Sequence, residues 1–82
     1  MNFILSLHAQ QQMTSRQIPI ELVQSVLEHP EQIVEEKGMK VYQSRVEISG
    51  QVRLLRVFAN DRTLPVIVVT VYSTTQIRKY WR

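Results

Sequence analysis

The chain has 82 residues, of which 44% are hydrophobic and 21% are charged, a composition that predicts one small globular domain rather than a disordered chain. It has no cysteine, which excludes disulfides, cysteine-ligated zinc and a cysteine nucleophile, and its two glycines are too few for a glycine-rich nucleotide loop. Residues 1–36 hold one arginine against five glutamates (−4), and residues 37–82 hold nine lysines and arginines against two acids (+7). This asymmetry has two interpretations: simple solubility, or a polyanion as the partner of the basic half.

The first 30 residues predict a brief β-prone run at 3–5 and then two helices. The apolar opening is short and lacks the basic leader of a signal peptide, so a cytoplasmic protein is expected. Ser6 can accept an unpaired N–H of a helix that continues to about Arg16. Pro19 favours the start of a second helix, and Pro30 ends it at His29. Apolar residues recur at helical spacing and predict the inner face of each helix: Ala9 and Met13 in the first, and Ile20, Val23, Val26 and Leu27 in the second.

The rest of the chain is rich in Val, Ile, Tyr and Thr and predicts an antiparallel sheet. Its expected strands are 32–36 at an edge, 39–48, 52–59 and 65–72. Ser49-Gly50 is predicted to be a two-residue hairpin turn, because glycine accepts a positive φ. Thr74 or Thr75 is expected to cap a final helical turn. The expected fold is therefore α+β: one domain over 1–82, with an N-terminal helical hairpin packed on a three- to four-stranded antiparallel sheet and a short C-terminal helical turn.

A two-residue turn fixes the register of that hairpin, and the register decides which side chains share a face. With Ile48 opposite Gln51, the face toward the helices is expected to hold Tyr42, Ser44, Val46, Leu55 and Val57. The other face carries the polar residues Gln43, Arg45, Glu47 and Arg56. The last strand is expected to place Ile67, Val69 and Val71 in the core. Thr70 and Tyr72 then lie beside the two arginines.

This polar face has two interpretations. Guanidinium groups hold phosphate with forked donors, and scission of RNA by its own 2′-hydroxyl needs only a base, charge stabilisation and a proton donor. Arg45 and Arg56 would then clamp phosphate while Tyr72 moves a proton. Alternatively, the arginines are structural, with Arg45 paired to Glu47 or Glu35 on a solvated face, as surface arginines commonly are.

Further candidates lie at the two ends of the chain. His8 could act as an acid or base near neutral pH, although a lone histidine beside an apolar stripe is more often structural. Arg16, at the end of the first helix, suits the helix dipole. The C-terminal segment combines cations with stacking aromatics, which suits RNA: Arg78, Lys79, Tyr80, Trp81 and Arg82. Its two aromatic residues could instead fold back to seal the core.

One stretch resembles the motif of a known family. Residues 8–18 read His8-Ala9-Gln10-Gln11-Gln12-Met13-Thr14-Ser15-Arg16-Gln17-Ile18, similar to the His-Ala-x-x-Arg-Met-x-x-Arg-Gly-Ile of a bacterial family named only as domain of unknown function 4258. The family's acidic helix and Asn-Pro resemble residues 19–30, its Leu-Arg-Val strand resembles 54–57, and its closing Val-Thr-Val-Tyr resembles 69–72. Two positions depart from the pattern, with Gln12 in place of arginine and Gln17 in place of glycine.

Members of that family are similar to the RelE/ParE and BrnT toxins, which place two helices against an antiparallel sheet. The resemblance implies the toxin of a type II toxin–antitoxin system, a metal-independent endoribonuclease that cleaves mRNA without a cofactor. It implies a cognate antitoxin and RNA as partners, and a homodimer is compatible with it. No membrane association is expected, because no window of the sequence approaches the length of a membrane span. The candidate catalytic residues are His8, Arg56 and Tyr72, which fall on the family pattern, and Arg45, which follows from the register. The candidate RNA-binding residues are Arg16, Arg53, Arg78, Lys79, Tyr80 and Arg82.

Two alternatives stay open, because one scaffold can host several activities. The first is a non-catalytic protein-interaction module that uses the sheet edge or the acidic helix. The second is a nonspecific nucleic-acid-binding protein, whose affinity would fall steeply with salt.

Overall fold

The computed structural model describes residues 1–82 and contains three helices and five strands. The helices are α1 (Leu7–Arg16), α2 (Ile20–Glu28) and α3 (Ile77–Tyr80). The strands are β1 (Phe3–Leu5), β2 (Gln32–Glu36), β3 (Met39–Ile48), β4 (Gln51–Asn60) and β5 (Val66–Thr74). They form one sheet in the order β1-β5-β4-β3-β2. None of the helices has the length and hydropathy that a membrane span requires.

The α+β class is confirmed, but the expected three to four antiparallel strands are too few. The sheet has five strands, and β1 pairs in parallel with β5, Phe3 opposite Val66 and Leu5 opposite Val68. The other neighbouring strands are antiparallel. The sequence marks residues 3–5 as β-prone, but no local signal places them in the sheet, because β1 is only three residues long and its partner lies at the other end of the chain.

The two N-terminal helices begin and end where the sequence predicts. The Ser6 side chain accepts a hydrogen bond from the Ala9 N–H at 3.0 Å and caps α1. Pro19 occupies the N-cap of α2, and His29 its C-cap. Ile20 departs from the expected inner face, since its side chain is 39% exposed. The helices pack their buried residues on one side of the sheet, which we call the helix face; the opposite side is the polar face.

The β3–β4 hairpin has the predicted register throughout. Ser49 and Gly50 have φ of 52° and 78°, as a type I′ turn requires at both central positions. Ile48 therefore pairs with Gln51, and Gln43 with Arg56. The turn thus determines which residues of this hairpin lie on the polar face.

The last strand corrects one prediction about the core. The pairing of β4 with β5 shifts between Phe58 and Ala59, so that Ala59 lies opposite Val68. A β-bulge adds one residue to one strand and reverses the alternation beyond it. Val71 is in the core as expected, but Val66 and Val68 take the places predicted for Ile67 and Val69.

The final helical turn also begins later than predicted. Gln76, rather than Thr74 or Thr75, is the N-cap residue of α3. The Thr74 hydroxyl instead accepts a hydrogen bond from the Gln76 N–H at 3.0 Å, which turns the chain out of β5.

Both departures from the family motif have a structural account. Val71 N–H donates to Gln12 Oε1 at 2.8 Å. An arginine at that position has no acceptor for this bond. Gln17 follows the end of α1 in the left-handed region, with φ 56° and ψ 46°. Glycine adopts that conformation without steric cost.

Replacing Gln17 by glycine is expected to raise the free energy of unfolding by roughly 1 kcal/mol, because a side chain at a left-handed position costs about that much. The greater freedom of glycine in the unfolded chain offsets part of the gain. Urea denaturation measures the change. Gln11→Gly, at an exposed position inside the same helix, is the control and should lower stability by about 1 kcal/mol. Equal losses in both variants would contradict the expectation.

Candidate functional site

Four polar side chains lie side by side across the polar face. Gln32, Gln43, Arg56 and Tyr72 are successive cross-strand partners on β2, β3, β4 and β5. Gln43 Nε2 donates to Gln32 Oε1 at 2.8 Å, and Arg56 Nε donates to Gln43 Oε1 at 2.9 Å. Arg56 Nη1 donates to the Tyr72 hydroxyl at 2.7 Å. We call these four residues the polar row.

Arg56 is the centre of the polar row and is fully buried, with 0% of its surface exposed. Its Nη2 donates to the Glu36 carboxylate, so that each guanidinium nitrogen has an acceptor. This hydrogen bond lowers the pKa of Glu36, and the pair is charged at neutral pH. The Tyr80 ring lies over the guanidinium at 4.4 Å. In this arrangement, a ligand phosphate would have to displace Glu36 or Tyr80 to reach Arg56.

Tyr72 is suited to donating a proton and not to accepting one. Burial raises the pKa of its phenol above the ordinary 10.0, so the group is protonated at neutral pH. The ring of Tyr72 also stacks on Phe58, with centroids 6.0 Å apart. Of the proton donor and the base that a metal-free scission needs beside charge stabilisation, the polar row contains only the proton donor.

Residues 76–82, which we call the C-terminal cover, fold back over the polar row. Gln43 Nε2 donates to the Tyr80 carbonyl at 3.1 Å. The Gln32 side chain makes two hydrogen bonds to the Arg82 backbone. Its Nε2 donates to the Arg82 carbonyl at 2.6 Å, and its Oε1 accepts from the Arg82 N–H at 3.1 Å. One sequence alternative was that the C-terminal aromatics seal the core. Tyr80 does fold back, but it packs on the polar face and not among the residues beneath the helices.

Arg45 is an exposed ion-pair partner. Its guanidinium donates to both oxygens of Glu31 at 3.1 and 2.9 Å, and its backbone N–H donates to the same carboxylate at 2.7 Å. The side-chain hydrogen bond lowers the pKa of Glu31. Arg45 therefore pairs with an acid, as the structural interpretation expected, but with Glu31 instead of Glu47 or Glu35.

The structure does not bring the four candidate catalytic residues together. Arg45, Arg56 and Tyr72 lie on the polar face, where the register placed them. His8 lies exposed at the start of α1, the helix that packs Ala9 and Met13 into the core of the helix face. The sheet therefore separates His8 from Arg56. The sequence could not reveal this separation, because a helix motif contains no information about which face of the sheet the helix covers.

The candidate RNA-binding residues also divide between the two faces. Arg78, Lys79 and Arg82 are exposed on the C-terminal cover, whereas Tyr80 packs against Arg56. Arg16 and Arg53 line a common cleft on the helix face. The candidate cations therefore form two separate surfaces, and the one on the helix face combines Arg16 of the acidic half with Arg53 of the basic half.

Three polar residues of the site were missed from the sequence: Glu31, Gln32 and Glu36. A signal for two of them was present. Lys37 and Gly38 have φ of 54° and 75°, the same two-residue turn that joins β3 and β4. That turn fixes Glu36 opposite Met39 and Gln32 opposite Gln43.

The family model described as "Domain of unknown function (DUF4258)" matches residues 5–73 of the chain. No curated protein and no solved structure is significantly similar to it. The match begins in β1 and ends in β5, so it includes all four residues of the polar row but not the C-terminal cover. Because this match spans most of the sequence, the protein belongs to the DUF4258 family.

Proposed function

We propose that this chain is the toxin of a type II toxin–antitoxin pair and that it acts on RNA. The observation that supports RNA best is the cationic C-terminal cover. It borders a cleft of about 390 Å³ lined by Arg45, Ile77, Arg78 and Trp81, which we call the C-terminal cleft.

The charges of the cover are uncompensated. Three of the ten lysines and arginines form ion pairs, namely Lys40 with Asp61, Arg45 with Glu31 and Arg56 with Glu36. Arg78, Lys79 and Arg82 have no such partner, although they lie within five residues of one another. Unpaired cations release counterions from a phosphate backbone and supply most of nonspecific affinity for nucleic acid.

Trp81 adds a surface for bases. The Arg45 guanidinium lies over its ring at 4.6 Å, and the side chain remains half-buried beside Arg78. An aromatic ring among cations is the combination that holds single-stranded RNA, since every base has a π face. The same cations would also bind an acidic antitoxin.

Cleavage is the second part of the proposal. Scission needs charge stabilisation and a proton donor near the RNA, and the polar row beneath the cover contains Arg56 and the protonated Tyr72. RNA would reach Arg56 by displacing Glu36 or Tyr80. His8 lies on the other face, so the base would have to be water or a group that RNA binding brings to the site. RNA binding and RNA cleavage are therefore tested separately.

Wild-type protein is expected to bind a labelled single-stranded RNA in a fluorescence-anisotropy titration. Trp81→Ala should weaken affinity about tenfold, since stacking contributes roughly 1–3 kcal/mol per base. Arg78→Gln should lower the slope of log affinity against log salt by about 0.7. Arg62→Gln removes an exposed arginine outside this cleft and is the matched control. Absence of binding at low salt, or wild-type affinity in Trp81→Ala, would contradict RNA binding here.

Incubation of the same RNA in EDTA tests cleavage. We expect cleavage by the wild type, loss of cleavage in Tyr72→Phe, and growth arrest when the wild type is induced. RNA that is bound but stays intact would overturn the nuclease part and favour the nonspecific nucleic-acid-binding alternative.

One observation favours a second candidate, a non-catalytic protein-binding module. β2 pairs only with β3, so its outer edge is open, and Ile33 on this strand is 52% exposed. An open edge can accept a strand from another protein. This candidate predicts a dimer or a partner complex by gel filtration that Ile33→Lys disrupts, with no dependence on RNA.

A further inference from the structure

A second cationic cleft lies on the helix face, away from the C-terminal cover. It has a volume of about 370 Å³ and is lined by Arg16, Ile48, Ser49, Gln51, Arg53 and Ser73. This volume is at the lower end of the range of small-molecule sites, roughly 300–1,000 Å³. The end of α1, the β3–β4 turn, the start of β4 and the end of β5 meet here.

Arg53 is held in one orientation by neutral partners. Its Nε donates to the Ser73 hydroxyl at 2.8 Å, Nη1 to Gln51 Oε1 at 3.0 Å and Nη2 to the Ser73 carbonyl at 3.3 Å. A guanidinium has two hydrogens on each terminal nitrogen, so each of these nitrogens keeps one N–H free. The Arg53 side chain is therefore fixed in position while one N–H on each terminal nitrogen stays available to a ligand.

The charge of this cleft is also uncompensated. Neither Arg16 nor Arg53 forms an ion pair, and none of the six lining residues is acidic. Arg45 and Arg56 are different, because each donates to a carboxylate. Two guanidiniums without a neighbouring acid suit an anionic ligand, and this is the cleft that two such groups line together.

The remaining polar groups of the cleft favour an anion rich in oxygen. Ser73 Oγ accepts from Arg53, which leaves its own O–H to donate. The Gln51 carbonyl also accepts from Arg53, which leaves its amide N–H groups to donate. Phosphate accepts several such bonds, and a phosphate monoester carries roughly −1.5 to −2 at neutral pH, matched to two arginines.

We propose that the cleft lined by Arg16 and Arg53 is a binding site for a phosphate monoester, such as the phosphate of a nucleoside 5′-monophosphate. The site is separate from the C-terminal cleft, and its binding does not rest on the proposed function. Ile48 offers an apolar surface to the rest of such a ligand.

Isothermal titration calorimetry with inorganic phosphate, uridine 5′-monophosphate and uridine tests the proposal. We expect binding of the monophosphate and none of uridine. Arg53→Gln should weaken the affinity by about tenfold or more, as loss of a charge-assisted bond does. Arg62→Gln, outside both clefts, should leave it unchanged. Equal affinity for inorganic phosphate would support a site for the phosphate group alone, and tighter monophosphate binding would support a nucleotide site.

A second pair of variants tests the proposal even if Arg53→Gln fails to fold. Asp and Asn both tolerate the positive φ of Ser49, and both precede glycine in type I′ turns. Ser49→Asp places a carboxylate in the cleft, whereas Ser49→Asn is uncharged and of similar size. We expect Ser49→Asp to bind the monophosphate at least about tenfold more weakly than Ser49→Asn. Equal affinities in this pair, equal binding of uridine, or no binding of either phosphate would overturn the proposal.

Discussion

Replacing Arg56 by alanine is expected to lower the free energy of unfolding by about 3 kcal/mol. The substitution leaves Glu36 without its cation and removes the donors that Gln43 and Tyr72 accept from. Breaking a buried ion pair costs roughly 3–5 kcal/mol, and the lower end applies because the Glu36 side chain is 28% exposed and can reach water. Such a loss is a large fraction of the stability of a small domain. Urea denaturation followed by circular dichroism measures it.

Arg45→Ala is the matched control for this prediction. Arg45 lies on β3 and also pairs with a glutamate, Glu31, but this pair is exposed, and exposed ion pairs contribute little to stability. Similar losses in the two variants would show that burial of Arg56 is not the source of its effect.

The pH dependence of stability separates the ion pair from simple packing. The pKa of Glu36 is lowered in the folded protein, so its contribution is present above its ordinary value of 4.5 and is lost as the pH falls through the folded value. Arg56→Ala should therefore lose less stability than the wild type on acidification. An identical acid profile in both proteins would contradict the role of the Glu36–Arg56 pair.

Replacing Tyr80 by alanine is expected to lower the free energy of unfolding by about 2 kcal/mol. The Tyr80 ring lies over Arg56 at 4.4 Å and meets the Tyr72 ring edge-on at 6.3 Å. Desolvated cation–π contacts contribute about 2 kcal/mol, and the alanine variant also admits water to Arg56. Thermal or urea unfolding measures the loss.

Two neighbouring variants distinguish the ring of Tyr80 from other properties of the cover. Tyr80→Phe keeps the ring and should retain most of the stability. Lys79→Ala removes an exposed side chain whose Nζ lies 5.3 Å from the Tyr80 ring, and it should cost less than about 1 kcal/mol, as exposed cation–π contacts do. A loss in Lys79→Ala as large as in Tyr80→Ala would instead indicate that the whole cover is disturbed.

Much of the fold could be predicted because its signals are local. Ser6, Pro19 and Pro30 set the helix ends through hydrogen bonding and backbone restriction at those residues alone. The Ser49-Gly50 turn fixed the register of β3 and β4, and with it the placement of Arg45 and Arg56 on one face. The same reasoning at Lys37-Gly38 would have added Gln32 and Glu36 to that face.

The bulge in the last pair of strands shows the limit of such reasoning. Alternation along an apolar run predicts a face only while the register continues. Here β5 has one extra residue, Val69, opposite the step from Phe58 to Ala59, so Val68 takes the core position predicted for Val69. No residue in the run from Val66 to Val71 marks the exchange, because each is compatible with burial.

By itself, the sequence determined the helix ends, the central hairpin and the sharing of one face by its two arginines, since turns and caps act over a few residues. Tertiary structure alone decided what those arginines contact. Arg56 became a buried, neutralised group because β2 supplies Glu36 and the C-terminal cover folds back over it. Arg16 and Arg53 became neighbours without an acid because α1 ends beside β4. Pairings between distant segments depend on how faces pack, and packing is a property of the whole chain.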